Sequence, residues 1–371
     1  MRNQRKRCCR ASRASTCNQA AIRTLLVCVT KFHQNAALAS GSTDSSDVAD
    51  QHGRGRKARH PTDIPAKGWW DVTWRAAKRF SDDNITLIAG GLALYALLSV
   101  FPALAAMVSI YGIFATPGDV IKQMGSFAGV LPPGVWDIFN TELQSIAKTG
   151  QSTLTTAALL SLVIALWSAR AAMSSLMTAT NIAYREREKR GFIKTTLLSL
   201  AFTLGAILGF LVMLTLGVAI PLALAAFGAG EWTKAAVSVL RGVLLWAVMI
   251  LGLAVVYRYA PAREHARWRW VTPGSLFAST TCLLASVLFA FYVTNFAGYA
   301  KTYGALGGVV VLLMWFYISS VVVLMGAEIN AEMERQTVED TTDKGDAPLG
   351  QRGAFAADTV GPSASSGKKN P

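Results

Sequence analysis

Of the 371 residues, 52% are apolar and only 16% are charged, against about 25% in an ordinary soluble domain, so a conventional soluble globule is excluded. The net charge of +14 is uneven: residues 1–83 carry +9, residues 84–330 carry +7 and residues 331–371 carry −2. Basic flanks beside long apolar runs anchor membrane spans and face anionic lipid, which accounts for the excess without nucleic-acid binding.

Residues 1–66 are polar, rich in Ser, Arg and Gly, and without sustained periodicity; they read as a disordered basic extension. Its one apolar stretch, Thr24–Thr30 between Arg23 and Lys31, is at the bottom of the range for a signal peptide. From Lys67 to Asp83, Trp69, Trp70, Trp74, Ala77 and Phe80 fall near one helical face with basic residues around much of the rest. That pattern suits an amphipathic helix, either lying in the membrane interface or packed under the bundle. Six apolar runs of spanning length follow, at about Thr86–Phe114, Thr153–Tyr184, Ile193–Phe227, Ala235–Tyr259, Thr272–Phe296 and Gly304–Ala331. Pro102 in the first marks a helix kink, and Pro221 lies near the end of the third. Between the first two spans, residues 118–147 carry apolar residues at helical spacing on either side of Pro132 and Pro133, which predicts two short amphipathic helices. The tail 336–371 is rich in Asp, Gly, Ser and Pro and reads as disordered. The expected fold is all-α: a polytopic six-helix transmembrane bundle over 67–335, with an N-terminal interfacial helix and disordered cytoplasmic termini.

Charge in the connections sets the orientation. The segment 185–194, REREKRGFIK, has five basic residues against two acidic ones, and Arg258, Arg263, Arg267 and Arg269 face Glu264 in the next basic loop. The loops at 115–152, 228–234 and 297–303 are near neutral. Basic and neutral loops alternate, so the positive-inside rule places both termini in the cytoplasm. Gly205–Gly209 and Gly304–Gly308 have the GxxxG spacing that permits close helix approach.

Four stretches in order carry a resemblance: IAGGLALYALLSVFPAL, LWSARAAMSSLMTATNIAYREREKRGF, RYAPAREHARWRWVTPGSLFA and KTYGALGGVVVLLMWFYISSVVVLMGAEINAE. Over about Trp69 to Arg335 the sequence resembles the YihY/BrkB family of bacterial inner-membrane proteins. The resemblance implies a six-span helical protein of the cytoplasmic membrane. The family carries an old ribonuclease label alongside a virulence-factor name. Metal-dependent RNA hydrolysis needs clustered carboxylates or histidines, and metal-free cleavage a positioned acid–base pair. In residues 84–330 the acidic residues are scattered over both ends of the spans, and His265 stands without a second histidine. The five cysteines form no CxxC pair and no zinc-type set with the four histidines. There is no GxxxxGK[ST] motif. The sequence therefore points to neither an enzyme nor a cofactor or metal site.

The chemistry worth weighing centres on Arg170, a permanent charge inside the second apolar run. Counting about 20 residues from Thr153 puts it a turn inside the cytoplasmic boundary, where it could snorkel to phosphate. Alternatively it faces a cavity open to the cytoplasm, with Ser168 and Asn181 adding polar groups on the same helix. Glu328 is the one carboxylate of the last span and, by depth, a partner of Arg170 only if the helices adjoin. Asn181, Asn295 and Asn330 are expected to be interhelical hydrogen bonders. An arginine in a wet cavity binds phosphate or carboxylate bidentately. The expected function is transport or facilitated movement of an anionic amphiphile or small molecule, with membrane lipids as partners and homo-oligomers left open. No carboxylate network for proton or sodium coupling is evident. The alternative is a structural scaffold whose basic loops dock partners.

Overall fold

The computed structural model describes residues 53–111, 156–226, 230–295, 306–345 and 347–365. The described residues form helices: α1 (Ala66–Asp82), α2 (Ile85–Tyr111), α3 (Thr156–Ala183), α4 (Phe192–Ala226), α5 (Glu231–Tyr259), α6 (Trp268–Asn295), α7 (Leu306–Glu334) and the single turn α8 (Phe355–Asp358). Among them lies one isolated antiparallel bridge, Ala266 to Thr342. Each long helix packs on its sequence neighbour from α2 to α7, and α7 closes on α2 to complete a ring. α1 lies against α7 and the start of α2.

Five helices contain stretches long and apolar enough to cross a membrane: Ile85–Ala103, Phe192–Met213, Ala235–Tyr259, Trp268–Asn295 and Gly307–Glu334. The sixth expected span, α3, is not among these five. Large apolar side chains face outward along the ring, including Leu87, Val239, Leu244, Leu284 and Val287. Such helices suit a solvent as apolar as leucine, where backbone polar groups are satisfied within each helix. The predicted helices at 118–147, and Gly304, lie outside the described residues.

Packing between helices rests on small residues. α6 buries Gly274, Ser275, Ala278 and Ser279 on one stripe. At Gly274 an added Cβ would come within 2.3 Å of the Gly326 carbonyl oxygen on α7, and at Gly326 one would come within 2.6 Å of the Tyr257 hydroxyl. Asn330 bridges the crossing: its Oδ1 accepts from Gly274 N at 2.7 Å and its Nδ2 donates to Val271 O at 3.0 Å. Tyr257 donates to Val323 O at 2.7 Å. The GxxxG pair Gly205 and Gly209 instead faces open space, and Gly308 is buried. The close approach therefore arises between glycines of two different helices, which no spacing within one helix reveals.

α1 turns its polar face inward. Asp71, Val72, Arg75 and Ala76 are buried, while Trp70 is 68% exposed. It thus packs under the bundle with charge, leaving tryptophan outward. Asn84, in the left-handed region at φ 51, turns the chain from α1 into α2, a conformation asparagine tolerates better than most residues.

Two expectations are corrected. The tail is folded over 336–345 and 347–365: Gln336, Thr337, Thr341 and Thr342 are buried. Arg352 donates to four backbone carbonyls, those of Ala347, Glu339, Ala357 and Val338. Residues 53–66 of the N-terminal extension are folded too, with Ala58 and Ile64 packed beside Val72, Trp270 and Met333. Both segments are largely polar, with small apolar contacts at Ala58, Ile64 and Ala356. They are held by arginine-to-carbonyl bonds, which composition does not register.

Gly274→Ala should lower stability by at least about 2 kcal/mol, because its contact is backbone and cannot move aside. Gly242→Ala, where nothing lies within 4 Å, should be neutral or better. Thermal unfolding in detergent, followed by tryptophan fluorescence, separates the two.

Candidate functional site

One end of the bundle gathers α1, the turns after α3 and α5, and the segment following α7. Here six arginines are buried: Arg56, Arg75, Arg258, Arg263, Arg335 and Arg352. A guanidinium out of water needs acceptors on its donors, and each of these has them. Arg263 makes a two-point pair with Glu334 at 2.8 and 2.7 Å, over the Tyr184 ring at 4.2 Å. Burial opposes the charge on Arg263, but Glu334 outweighs it and raises the guanidinium pKa above its ordinary value. Arg75 donates to Glu332 Oε2 at 2.6 Å and to Gln336 Oε1 at 2.8 Å. Arg335 meets the other oxygen of Glu332 at 2.6 Å. Arg258 pairs with Asp343. Arg56 has carbonyls instead, chiefly Gly361 O at 2.6 Å. Burial first, then the nearby Arg75 charge, lowers its pKa to about 10.

The turn after α3 is held the same way. Glu186 N donates to Asn181 O and Arg185 N to Ile182 O, the paired bonds of a helix end closed by a left-handed residue. That residue is Arg185, at φ 57. Asn181 Nδ2 donates to Glu188 Oε2 at 3.0 Å, while its Oδ1 accepts from Ala262 N at 2.7 Å. Of the three asparagines expected to bond between helices, Asn330 does so, whereas Asn181 bonds to the loops after α3 and α5 and Asn295 donates to Phe291 O of its own helix. Arg190 grips Glu188 and also donates to Ala260 O at 2.6 Å.

Arg170 differs from all of these. It is partly buried, its Nε is buried without a partner, and its guanidinium lies 4.2 Å from the Trp167 ring centre. Among the described residues it makes no ion pair. Ser99 Oγ accepts from Ala172 N at 3.2 Å, which ties this level of α3 to α2 one turn before Pro102. Fourteen residues separate Arg170 from Tyr184 and Ser99 from Ile85, about 20 Å at helical rise. The apolar stretch of α2 begins at Ile85, so Arg170 lies well along the bundle rather than one turn from its charged end.

The expected constellation does not assemble. Ser168 points outward, Asn181 is engaged at the charged end, and no ion pair joins Arg170 to Glu328. Glu328, 1% exposed, instead faces the corner between α1 and α2. Among the described residues no group of three or more metal-ligating side chains occurs.

A ring of long apolar helices, exposed outward and closed at one end by paired charges, defines a multi-pass helical membrane protein. The chain matches the family model described as Virulence factor BrkB over residues 76–350, and it belongs to that family. It is 30% identical over 249 residues to a ribonuclease-like protein of Bacillus subtilis (strain 168), covering 66% of this chain and 88% of that one. It is 28% identical over 280 residues to a UPF0761 membrane protein of Pseudoalteromonas translucida, covering 74% and 88% of the two chains. A UPF0761 membrane protein of Tolumonas auensis is 29% identical over 265 residues, covering 70% and 83%. No solved structure matches.

Arg263→Met or Glu334→Leu taken singly strands a buried charge and should cost about 3–5 kcal/mol. The double variant should cost no more than either single, a coupling read from a double-mutant cycle of unfolding free energies. Glu188 is held down to about 2, first by the Arg190 side-chain hydrogen bond, with burial opposing and the Arg190 amide and Asn181 assisting. A depressed carboxylate stabilises the fold above its unfolded value and loses that contribution as pH falls. Protection factors of amides 185–191 against hydrogen exchange should therefore fall as pH drops from about 4.5 to about 2, and Glu188→Gln should remove that dependence.

Proposed function

We propose that the protein resides in the bacterial inner membrane, crosses it six times with α3 included, and keeps its charged end in the cytoplasm. Its function on this reading is facilitated movement of an anionic amphiphile, with Arg170 as the group that meets the anion. The observation that carries the reading is the contrast between arginines. Those buried at the charged end each donate to acceptors from two or three nitrogens, even where the Nε of Arg56, Arg258 or Arg263 is unpartnered. Arg170, about 20 Å along the helix, instead makes no hydrogen bond or ion pair among the described residues and has an aromatic ring as its neighbour. Ionisable groups within spans mark pathways or pairs, and here no pair is made among the described residues. Pro102 and the Ser99 contact lie at the same level. A phosphate-bearing lipid headgroup or a carboxylate amphiphile presents the pair of anionic oxygens that a guanidinium grips at two points.

Scaffolding through the basic loops finds less support, because Arg190, Arg258 and Arg263 are spent on internal acceptors. The ribonuclease-like name of the Bacillus subtilis relative is not carried over, since most acidic groups of the charged end, Asp71, Glu332 and Glu334 among them, are bound to arginine.

Purified protein in liposomes with fluorescent anionic lipids tests the proposal. Arg170→Gln should reduce flux roughly ten- to a hundredfold, the scale of one charge-assisted hydrogen bond, with Arg170→Lys intermediate. Unchanged flux in a correctly inserted Arg170→Gln protein overturns the role of Arg170. Metal-dependent RNA cleavage that tracks point variants would overturn the non-enzymatic reading.

A further inference from the structure

The buried carboxylates at the charged end divide unequally. Asp71 is gripped by Arg54, Glu334 by Arg263, Glu332 by Arg75 and Arg335. Glu186 accepts from Phe355 N and Asp340 from Thr342 N. Among the described residues, Glu328 is the buried carboxylate that accepts from no guanidinium, amide or hydroxyl, and its Oε1 is buried without a partner. Opposite it is Asp83, close enough to share a hydrogen bond, with its own Oδ2 buried and unpartnered.

The surroundings explain why no cation reaches Glu328. Toward the bundle interior it is sealed by the apolar contact of Ile85, Ala89, Ala179 and Leu324. Toward the charged end comes Glu332, one turn along α7, whose oxygens already hold the Arg75 and Arg335 guanidinium groups, with Arg79 of α1 at 3.7 Å. From the turn after α3, Arg185 reaches Asp83 Oδ1 at 3.7 Å, on the side away from the orphaned oxygen. Asp82 adds further negative charge beside Asp83. Burial lifts the Asp83 pKa above the usual carboxylate range, with Arg79 opposing and Asp82 and Glu332 reinforcing.

Two facing carboxylates, Glu328 buried and Asp83 partly buried, have acceptors and no donor between them, a costly arrangement. One hydrogen between them converts the gap into a charge-assisted O–H···O⁻ bond. We infer that Glu328 and Asp83 form a proton-binding carboxyl pair that clasps α7 to the α1–α2 corner. The ligand is a single proton, held jointly by one oxygen of each residue. Removing it leaves two facing negative charges, which pushes the corner at Asn84 away from α7. The pair supplies the carboxylate site that the sequence did not show, and it stands independently of the role given to Arg170.

Infrared spectroscopy of the full-length protein in lipid nanodiscs tests the inference. The unmodified protein should show one protonated-carboxyl C=O band at neutral pH that disappears on alkalinisation. Glu328→Gln should lose the band, and Asp83→Asn should shift it. Thermal stability of the unmodified protein should fall as pH rises through that titration, because the folded state binds a proton the unfolded chain has released. Glu328→Gln, whose amide supplies a donor, should lack that fall. No such band in the unmodified protein, or a band that neither variant alters, overturns the inference. So does a band removed by sodium at constant pH, which would assign the pair to a metal cation. The measurement on the unmodified protein decides the matter even if both variants misfold.

Discussion

A guanidinium carried out of water must find its acceptors, and that requirement organises the charged end of this protein. α1, the turns after α3 and α5, and residues 335–345 and 347–365 are largely polar, and apolar contacts such as Val72 with Ile64 and Met333 are only part of what holds them. Each is fixed because an arginine it holds, or an oxygen it offers, completes an arginine site. The Arg263–Glu334 pair joins the α5–α6 turn to α7. Arg75 joins α1 to α7, and also to the tail through Pro362 O. Arg56 joins residues near the start of the fold to Gly361 near its end. Breaking one such bond leaves a desolvated ion behind, so the sites hold each other up.

The membrane-facing part obeys a different rule. Leucine and valine gain little by packing against each other rather than against lipid. Contact there comes from shape: Gly274 against Gly326, Asn330 across the crossing, Tyr257 on a carbonyl. Among the described residues, two groups fit neither rule: Arg170, which has no acceptor, and Glu328, which has no donor. They lie at different heights on different helices, and the ring keeps them apart.

The helix boundaries were legible in the sequence because apolar runs of spanning length leave little else to form. The hydrogen-bonding role of Asn330 was legible too, since an amide inside an apolar helix must find a partner. Glu328 stood out by type, but its partner did not. Only the closure of α7 on α2 brings Asp83 to it, and order around a ring is not written in hydropathy. The fold of residues 53–66 and 336–365 was missed for a related reason. Composition counts apolar side chains, whereas these segments are held through carbonyl oxygens that every residue possesses. The contact of Gly274 with Gly326 was hidden because it belongs to two helices at once.

Ring closure also bears on biosynthesis. Every helix from α2 to α6 meets its successor as soon as that successor is made, but α2 waits for α7, the last long helix to leave the ribosome. Arg56 and Arg75 wait longer, since their acceptors include residues 332–362. The early arginines therefore lack these acceptors while the bundle assembles, and the charged end sets only once residues 332–362 have been made. A nascent chain stalled before α7 has an open flank on α2 and on α6.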